Sequence, residues 1–248
     1  MDSYLLRARS FGAHASDYAE HRPNYPADGI RWALAGAGRP VDDVLDLAAG
    51  TGKLTEGLLP LRLSVTAVEP DESMLAELSR RFPQVTALAG SAEAIPLADG
   101  SVDAVVVGQA FHWFDHEAAL AEIGRVLRPG GVVGALWNGE DERTEWVAGL
   151  LAMSGTSVPN ALRGGLQLPA HPLFTEQEAE VFPHVQRRTV ESLAETFGTH
   201  SRMLVVSAQE RAEVMGRIRE YLSGLPETAD GEFNLPLITK VIRATRVG

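Results

Sequence analysis

The residues Asp46-Leu47-Ala48-Ala49-Gly50-Thr51-Gly52 lie between an apolar run ending in Val44-Leu45 and a helix-like stretch over residues 53–59, the pattern of a strand, a glycine turn and a helix. Glycines at such a crossover let the backbone approach a bound molecule with no Cβ in the way, and the helix start beyond them offers unpaired N–H groups. The chemistry this suits is the binding of a nucleotide-like ligand. A second apolar run, Leu63-Ser64-Val65-Thr66-Ala67-Val68, ends in Glu69, so a carboxylate arrives where a neighbouring parallel strand can present it to a ribose diol.

Spacing separates the ligands that use such a turn. A dinucleotide fingerprint has a third glycine three residues after the second, and that position is Thr55. A P-loop needs glycine at position 47 and Ser or Thr after its lysine, whereas Leu47 and Leu54 stand there. What remains is a nucleoside without a phosphate chain, carrying a charged tail that Asp46 can meet. S-adenosylmethionine, with a cationic ammonium and a ribose, fits that description.

These segments resemble the class I S-adenosylmethionine-dependent methyltransferases, in particular the small-molecule type related to ubiquinone-biosynthesis and trans-aconitate methyltransferases. The resemblance spans roughly residues 10 to 137. Asp46 to Gly52 is similar to the family's acidic, glycine-rich loop, with Ala48 in place of its first glycine, and Val68-Glu69-Pro70 to its ribose-binding segment. Gly90-Ser91-Ala92-Glu93 resembles the loop at the adenine edge. Ser101-Val102-Asp103-Ala104-Val105-Val106-Val107 resembles the fourth strand, with Gln109-Ala110-Phe111-His112-Trp113-Phe114 after it, and Leu127-Arg128-Pro129-Gly130-Gly131 the turn into the fifth. The resemblance implies S-adenosyl-L-methionine as cofactor, with Asp46, Ala48, Gly50, Gly52, Glu69, Pro70, Met74, Ser91, Ala92, Glu93, Gln109 and Ala110 around it. It also implies an N-terminal lid, with Tyr18 and Arg22 near the cofactor's carboxylate.

The elements that must position these residues alternate between strand and helix up to about Trp137. Helical spacing covers residues 26–37 (Ile30, Ala33, Leu34), 72–81 (Met74, Leu75, Leu78) and 116–127 (Leu120, Ile123, Leu127). Strands are expected over 44–48, 65–68, 85–89, 104–107 and 132–137. The fold class is α/β: a doubly wound, Rossmann-like, seven-stranded and mostly parallel sheet with an antiparallel last strand, an N-terminal helical lid and an insertion after strand 5. The alternation stops after Asn138, and residues 139–172, with a helical patch over 146–153, read as an insertion over the ligand edge. A sixth strand over 181–190, a helix over 210–222 and a last strand over 233–245 follow. One domain is expected over 1–248: a lid and first helix to 37, a cofactor-binding core over 38–137, a cap over 138–180 and C-terminal strands and helices from 181.

Composition restricts partners. Acidic residues outnumber basic ones, 33 to 22, a formal charge of −11, and phosphate backbones are repelled at long range by such a balance. The partner expected is a small-molecule acceptor, with no nucleic acid and no membrane, for a monomer or homodimer. The chain has no cysteine, hence no disulfide or thiolate metal site, and its seven histidines are scattered, so no metal is expected. No apolar run approaches the ~20 residues of a membrane span and no leader pattern opens the chain, so a cytoplasmic protein is expected.

For the acceptor, an aromatic chamber is expected from Phe11, Tyr25, His112, Trp113, Trp137 and Asn138, roofed by residues 139–172. His112, just past the fourth strand's carboxyl end, is the candidate catalytic base for a hydroxyl or thiol acceptor. Two other readings stay open at this level: a non-catalytic cofactor-binding protein, and an enzyme that leaves the methyl in place. Formation of S-adenosylhomocysteine separates them from a methyltransferase.

Overall fold

Unbroken apolar runs become the inner strands of a parallel sheet, because such strands are covered on both faces. The structure, a computed structural model, describes residues 22–154, 166–198 and 206–248. Five parallel strands, β1 (Asp43–Leu47), β2 (Ser64–Glu69), β3 (Thr86–Ala89), β4 (Val102–Gly108) and β5 (Leu127–Glu140), are joined by two more, β6 (Glu178–Arg188) and β7 (Phe233–Thr245), in the order β3-β2-β1-β4-β5-β7-β6. β7 runs antiparallel to both its neighbours. The order reverses between β1 and β4, the switch point at which open α/β sheets leave a crevice at the strands' carboxyl ends.

Two cores flank the sheet. On one face α1 (Ala27–Leu34), α2 (Lys53–Leu58) and α3 (Glu72–Arg81) bury Ile30, Leu58 and Leu78 against Val44, Ala67 and Val106. On the other, α4 (His116–Val126) sets Leu120 and Ile123 against Val105 and Val133. Asp71 caps α3, accepting from the N–H groups of Ser73 and Met74 at 3.0 and 2.9 Å, so the helix starts where sequence placed it.

β5 begins five residues earlier than expected. Leu127 pairs with Val102 and Val132 with Ala104, so residues 128–131, read as a turn before the strand, are looped out of a ladder that already exists. The irregularity lies opposite Asp103, the second residue of β4 at the sheet's amino edge. There its carboxylate accepts from the N–H groups of Asp42 and Asp43, at 3.1 and 3.0 Å, and meets Arg39 and Arg128, each at 2.9 Å. Burial alone would raise the Asp103 pKa, but the two N–H groups and Arg128 outweigh it and hold the pKa below the usual value. A depressed carboxylate contributes stability above its unfolded pKa that is lost as pH falls through the folded one. Asp103→Asn is expected to cost about 1–2 kcal/mol at neutral pH, with the difference from wild type shrinking below pH 4; chemical denaturation across that range measures it.

The residues expected to form one roof are split. Among them, α5 (Glu145–Ser154) joins α6 (Val190–Gly198), α7 (Ala208–Ser223) and the start of β7 in a third core built on Leu150, Phe197, Ile218 and Leu235. β7 pairs with β5 only up to Glu140↔Leu237, while its pairing with β6 continues to Phe233↔Arg188, so the β6–β7 ribbon projects past the carboxyl edge and the three helices pack on that projection. Residues 166–174 instead run down the face beside α4: Lys240 Nζ donates to the Leu166 carbonyl at 3.0 Å, and Leu173 lies against Gly124. Helix α6 was not expected from sequence. Its signals were a reciprocal cap, Ser192 N–H to Thr189 Oγ1 at 3.2 Å and Thr189 N–H to Ser192 Oγ at 2.9 Å, followed by Leu193, Ala194 and Phe197 on one face.

Candidate active site

The loop after β1 makes the sharp turn its glycines permit. Gly50 and Gly52 have φ of 57° and 87°, and a Cβ on Gly52 would sit 2.6 Å from the Phe82 ring. Ala48 also has φ of 56°, a left-handed conformation that strains a residue with a Cβ by about 1–2 kcal/mol. Ala48→Gly is therefore expected to raise stability by about 0.5–1 kcal/mol once glycine's greater freedom in the unfolded chain is offset. Equilibrium denaturation tests it; a destabilised variant would show that the methyl packs usefully.

Glu69, 5% exposed at the end of β2, accepts from Gly50 N–H through Oε2 at 2.8 Å and from Asp71 N–H through Oε1 at 2.9 Å. Each oxygen keeps one lone pair, so both hydroxyls of a ribose can bind without breaking either bond. Burial pushes its pKa up, and the two N–H groups oppose the rise. Met74 lies over the turn, its Sδ 3.8 Å from where a Gly50 Cβ would stand, while Pro70 is exposed.

Asp46 is fully buried. Its Oδ2 accepts from Thr55 Oγ1 at 2.5 Å, and Oδ1 has no hydrogen-bond partner among the described residues. Burial raises the carboxyl to about 7, with the Thr55 bonds opposing and Glu69 adding to the rise. An orphaned acid oxygen behind the glycine turn is the kind of group a ligand cation relieves. Thr55, whose presence breaks the dinucleotide spacing, is the side chain that holds Asp46.

In the loop expected to face the adenine, Ala92 is buried, while Glu93 accepts from the Asp115 N–H at 3.1 Å and so ties this loop to the start of α4. Ser91 bridges to Ala94 in the same loop.

At the end of β4, Gln109 takes φ of 59° and donates from Nε2 to the Asn138 carbonyl at 2.9 Å, so its amide is fastened to β5. Ala110 caps a single turn, residues 111–113, in which Phe111 is buried and His112 is exposed, its ring 4.7 Å from that of Trp113. Although the residue is open to solvent on one side, desolvation of the part of the ring turned toward the chain, then His116, lowers the His112 pKa. Tyr25 lies on Gly108, whose added Cβ would meet the phenol oxygen at 2.6 Å.

Not all the expected chamber residues meet. Alternation along β5 sends Trp137 into the core beside α4 and Asn138 to the opposite face, where Asn138 accepts from Thr239 Oγ1 at 2.5 Å and donates to the Pro23 and Asn24 carbonyls. Trp137 is 3% exposed, so it packs as core and does not stand as an open wall. Phe11 and Tyr18 lie outside the described residues. One neighbour of the site had gone unnoticed in the sequence: Lys53 Nζ donates to Asn24 Oδ1 at 3.2 Å. Among the described residues no His, Asp or Glu cluster could hold a metal.

A model described as a methyltransferase domain matches residues 45–134, the stretch from β1 to β5 that carries the glycine turn and Glu69. An uncharacterized methyltransferase of Mycobacterium tuberculosis is 41% identical over 95% of each chain. The chain belongs to the class I S-adenosylmethionine-dependent methyltransferases. A second uncharacterized methyltransferase, from Schizosaccharomyces pombe, is 32% identical over 92% of this chain and 94% of its own. The solved structure of a proposed type II methyltransferase from Anaeromyxobacter dehalogenans superposes with a TM-score of 0.69 at 29% identity, covering 91% of this chain and 97% of that one. The cofactor of this methyltransferase is S-adenosylmethionine, and the residues just described fit it: a diol acceptor at Glu69, a turn open to close approach and a buried acid with a spare oxygen. Among the described residues no helix is long and apolar enough to cross a membrane.

Proposed function

We propose that this methyltransferase modifies a mid-sized, partly apolar organic acceptor, held between the 22–25 segment, the 109–113 segment and the helical cap. The observation that best supports this is the convergence at one edge: Tyr25 covers Gly108, Gln109 reaches Asn138, and the imidazole of His112 stands open beside Trp113. Aromatic surface with a few polar groups suits such a molecule. The excess of 33 acidic over 22 basic residues also speaks for it over a nucleic acid.

When bound, S-adenosylmethionine supplies a methyl already activated on a sulfonium. The chain's own contribution is orientation, which can lower a barrier by ~7–11 kcal/mol when reacting atoms are held in line. Glu69 fixes the ribose, the turn at Gly50 admits the cofactor, and Arg22 meets its carboxylate. His112, whose charged form is disfavoured by desolvation and by His116, takes the proton of a hydroxyl or thiol acceptor. The test is a panel of phenols, thiols, amines and carboxylic acids with methyl-labelled cofactor. Label in a small acceptor, with stoichiometric S-adenosylhomocysteine, is the expected result; label found only in added protein or RNA would overturn the reading.

A further inference from the structure

Residues 22–25 lie along the carboxyl edge of the sheet before the chain turns into α1 at Pro26. One side chain of β5 holds them there. Asn138 Nδ2 donates to the Pro23 and Asn24 carbonyls at 3.3 and 3.2 Å, and its Oδ1 accepts from Thr239 Oγ1 of β7 at 2.5 Å. Carbonyls only accept, so they turn the amide nitrogen toward residues 23 and 24, and the Thr239 hydroxyl satisfies the oxygen left on the other side. Asn138 and Thr239 are both buried, so this chain of bonds is made away from water.

The same segment crosses the cofactor site. Glu69 ends β2, Asp46 with its spare oxygen lies in β1, and β4 is the next strand, so a cofactor with its ribose at Glu69 and its ammonium toward Asp46 runs on toward the end of β4. That end is Gly108, on which Tyr25 lies. From the other side Lys53, the first residue of α2 and next to the glycine turn, donates to Asn24 Oδ1 at 3.2 Å. Residues 24 and 25 thus span the course of the methionine end. The bonds that hold the segment, 3.2 and 3.3 Å long, are at the weak end of the N–H···O range, as suits a clasp that opens to let a ligand pass.

We infer that Asn138 is a positioning residue: with Thr239 behind it, its amide clasps residues 23 and 24 over the methionine end of the cofactor and so sets how fast S-adenosylhomocysteine leaves. The inference rests on the placement of the ribose at Glu69. Its effect falls mainly on release, because the clasp must open before the ligand departs.

Surface plasmon resonance on the full chain measures the release of two ligands: S-adenosylhomocysteine, which has the amino-acid tail, and 5′-methylthioadenosine, which lacks it. Asn138→Ala is expected to release S-adenosylhomocysteine about tenfold faster, the loss of one or two modest hydrogen bonds, and to leave 5′-methylthioadenosine unchanged. The Gln109 bond goes to the Asn138 main chain and survives that change. Thr239→Val, which keeps the shape of the side chain, should show the same split more weakly, and the double variant should be no faster than Asn138→Ala alone. Hydrogen exchange at Asn24 and Tyr25, with S-adenosylhomocysteine bound, should rise in each variant. Equal acceleration of both ligands would make Asn138 a fold support only, additive effects would make Thr239 independent of it, and unchanged release or unchanged exchange would mean that no clasp acts there; each overturns the inference. A Glu69→Ala protein that holds both ligands like wild type would overturn the placement of the ribose instead. Binding of 5′-methylthioadenosine reports that each variant of Asn138 and Thr239 is folded.

Discussion

Glu69→Ala is expected to weaken S-adenosylhomocysteine binding by about 1.5–3 kcal/mol, roughly 10- to 150-fold, the range for hydrogen bonds to a charged group. The structure adds a second consequence that position at a strand end does not reveal. The same carboxylate accepts from Gly50 and Asp71, so its removal strips two backbone N–H groups of their acceptor at the glycine turn and at the start of α3. Stability should fall as well, by about 1–3 kcal/mol for each group left buried and unpaired. Glu69→Gln separates the effects, because its single carbonyl oxygen can keep one N–H but cannot serve both hydroxyls of a ribose. Calorimetric titration beside thermal unfolding reads the two losses. A folded Glu69→Ala protein with wild-type affinity would remove Glu69 from the ribose site.

Much of this site was legible in the sequence because its determinants are local. Glycines in a left-handed turn, an acid at a strand end and a capped helix at Asp71 are each set by a few neighbouring residues, and α3 and β7 have the bounds the pattern implied. Where sequence reasoning fell short, contacts distant in the chain decide. The pattern of residues 128–131 says turn, but Leu127 is already held by Val102, so the strand forms around the turn. Trp137 and Asn138 are both plausible chamber residues by type; the strand was expected to end at 137, and only its continuation to Glu140 beside β7 puts the two on opposite faces. The cap could not be read as one insertion because its helices come from three separate stretches and share a core on the projecting β6–β7 ribbon. Asp46 looked like an acid free to meet a cation, and Thr55, nine residues on, seals one of its oxygens.

His112→Ala is expected to lower turnover by ~10²-fold with a hydroxyl or thiol acceptor, the lower range for loss of a general base, while leaving S-adenosylhomocysteine affinity near wild type. The pH dependence follows from the direction of its shift. Crowding by the surrounding chain disfavours the imidazolium, and His116 adds to that, so the folded pKa lies below the ordinary value near 6.5. The neutral ring, the form able to accept a proton, therefore persists to lower pH than in an ordinary histidine. As pH falls, the wild-type rate should drop at a lower pH than an ordinary histidine would impose, and the drop should be absent from the residual activity of His112→Ala. His116→Ala removes the nearby repulsion and should move the drop upward. These profiles report the base only if methyl transfer limits the rate, which a kinetic isotope effect on the labelled methyl establishes first. A carboxylate acceptor needs no proton removed, so with such an acceptor the profile should be flat and the cost of His112→Ala small. A flat profile and a small loss with a hydroxyl or thiol acceptor would instead assign the whole rate enhancement to orientation at the carboxyl edge.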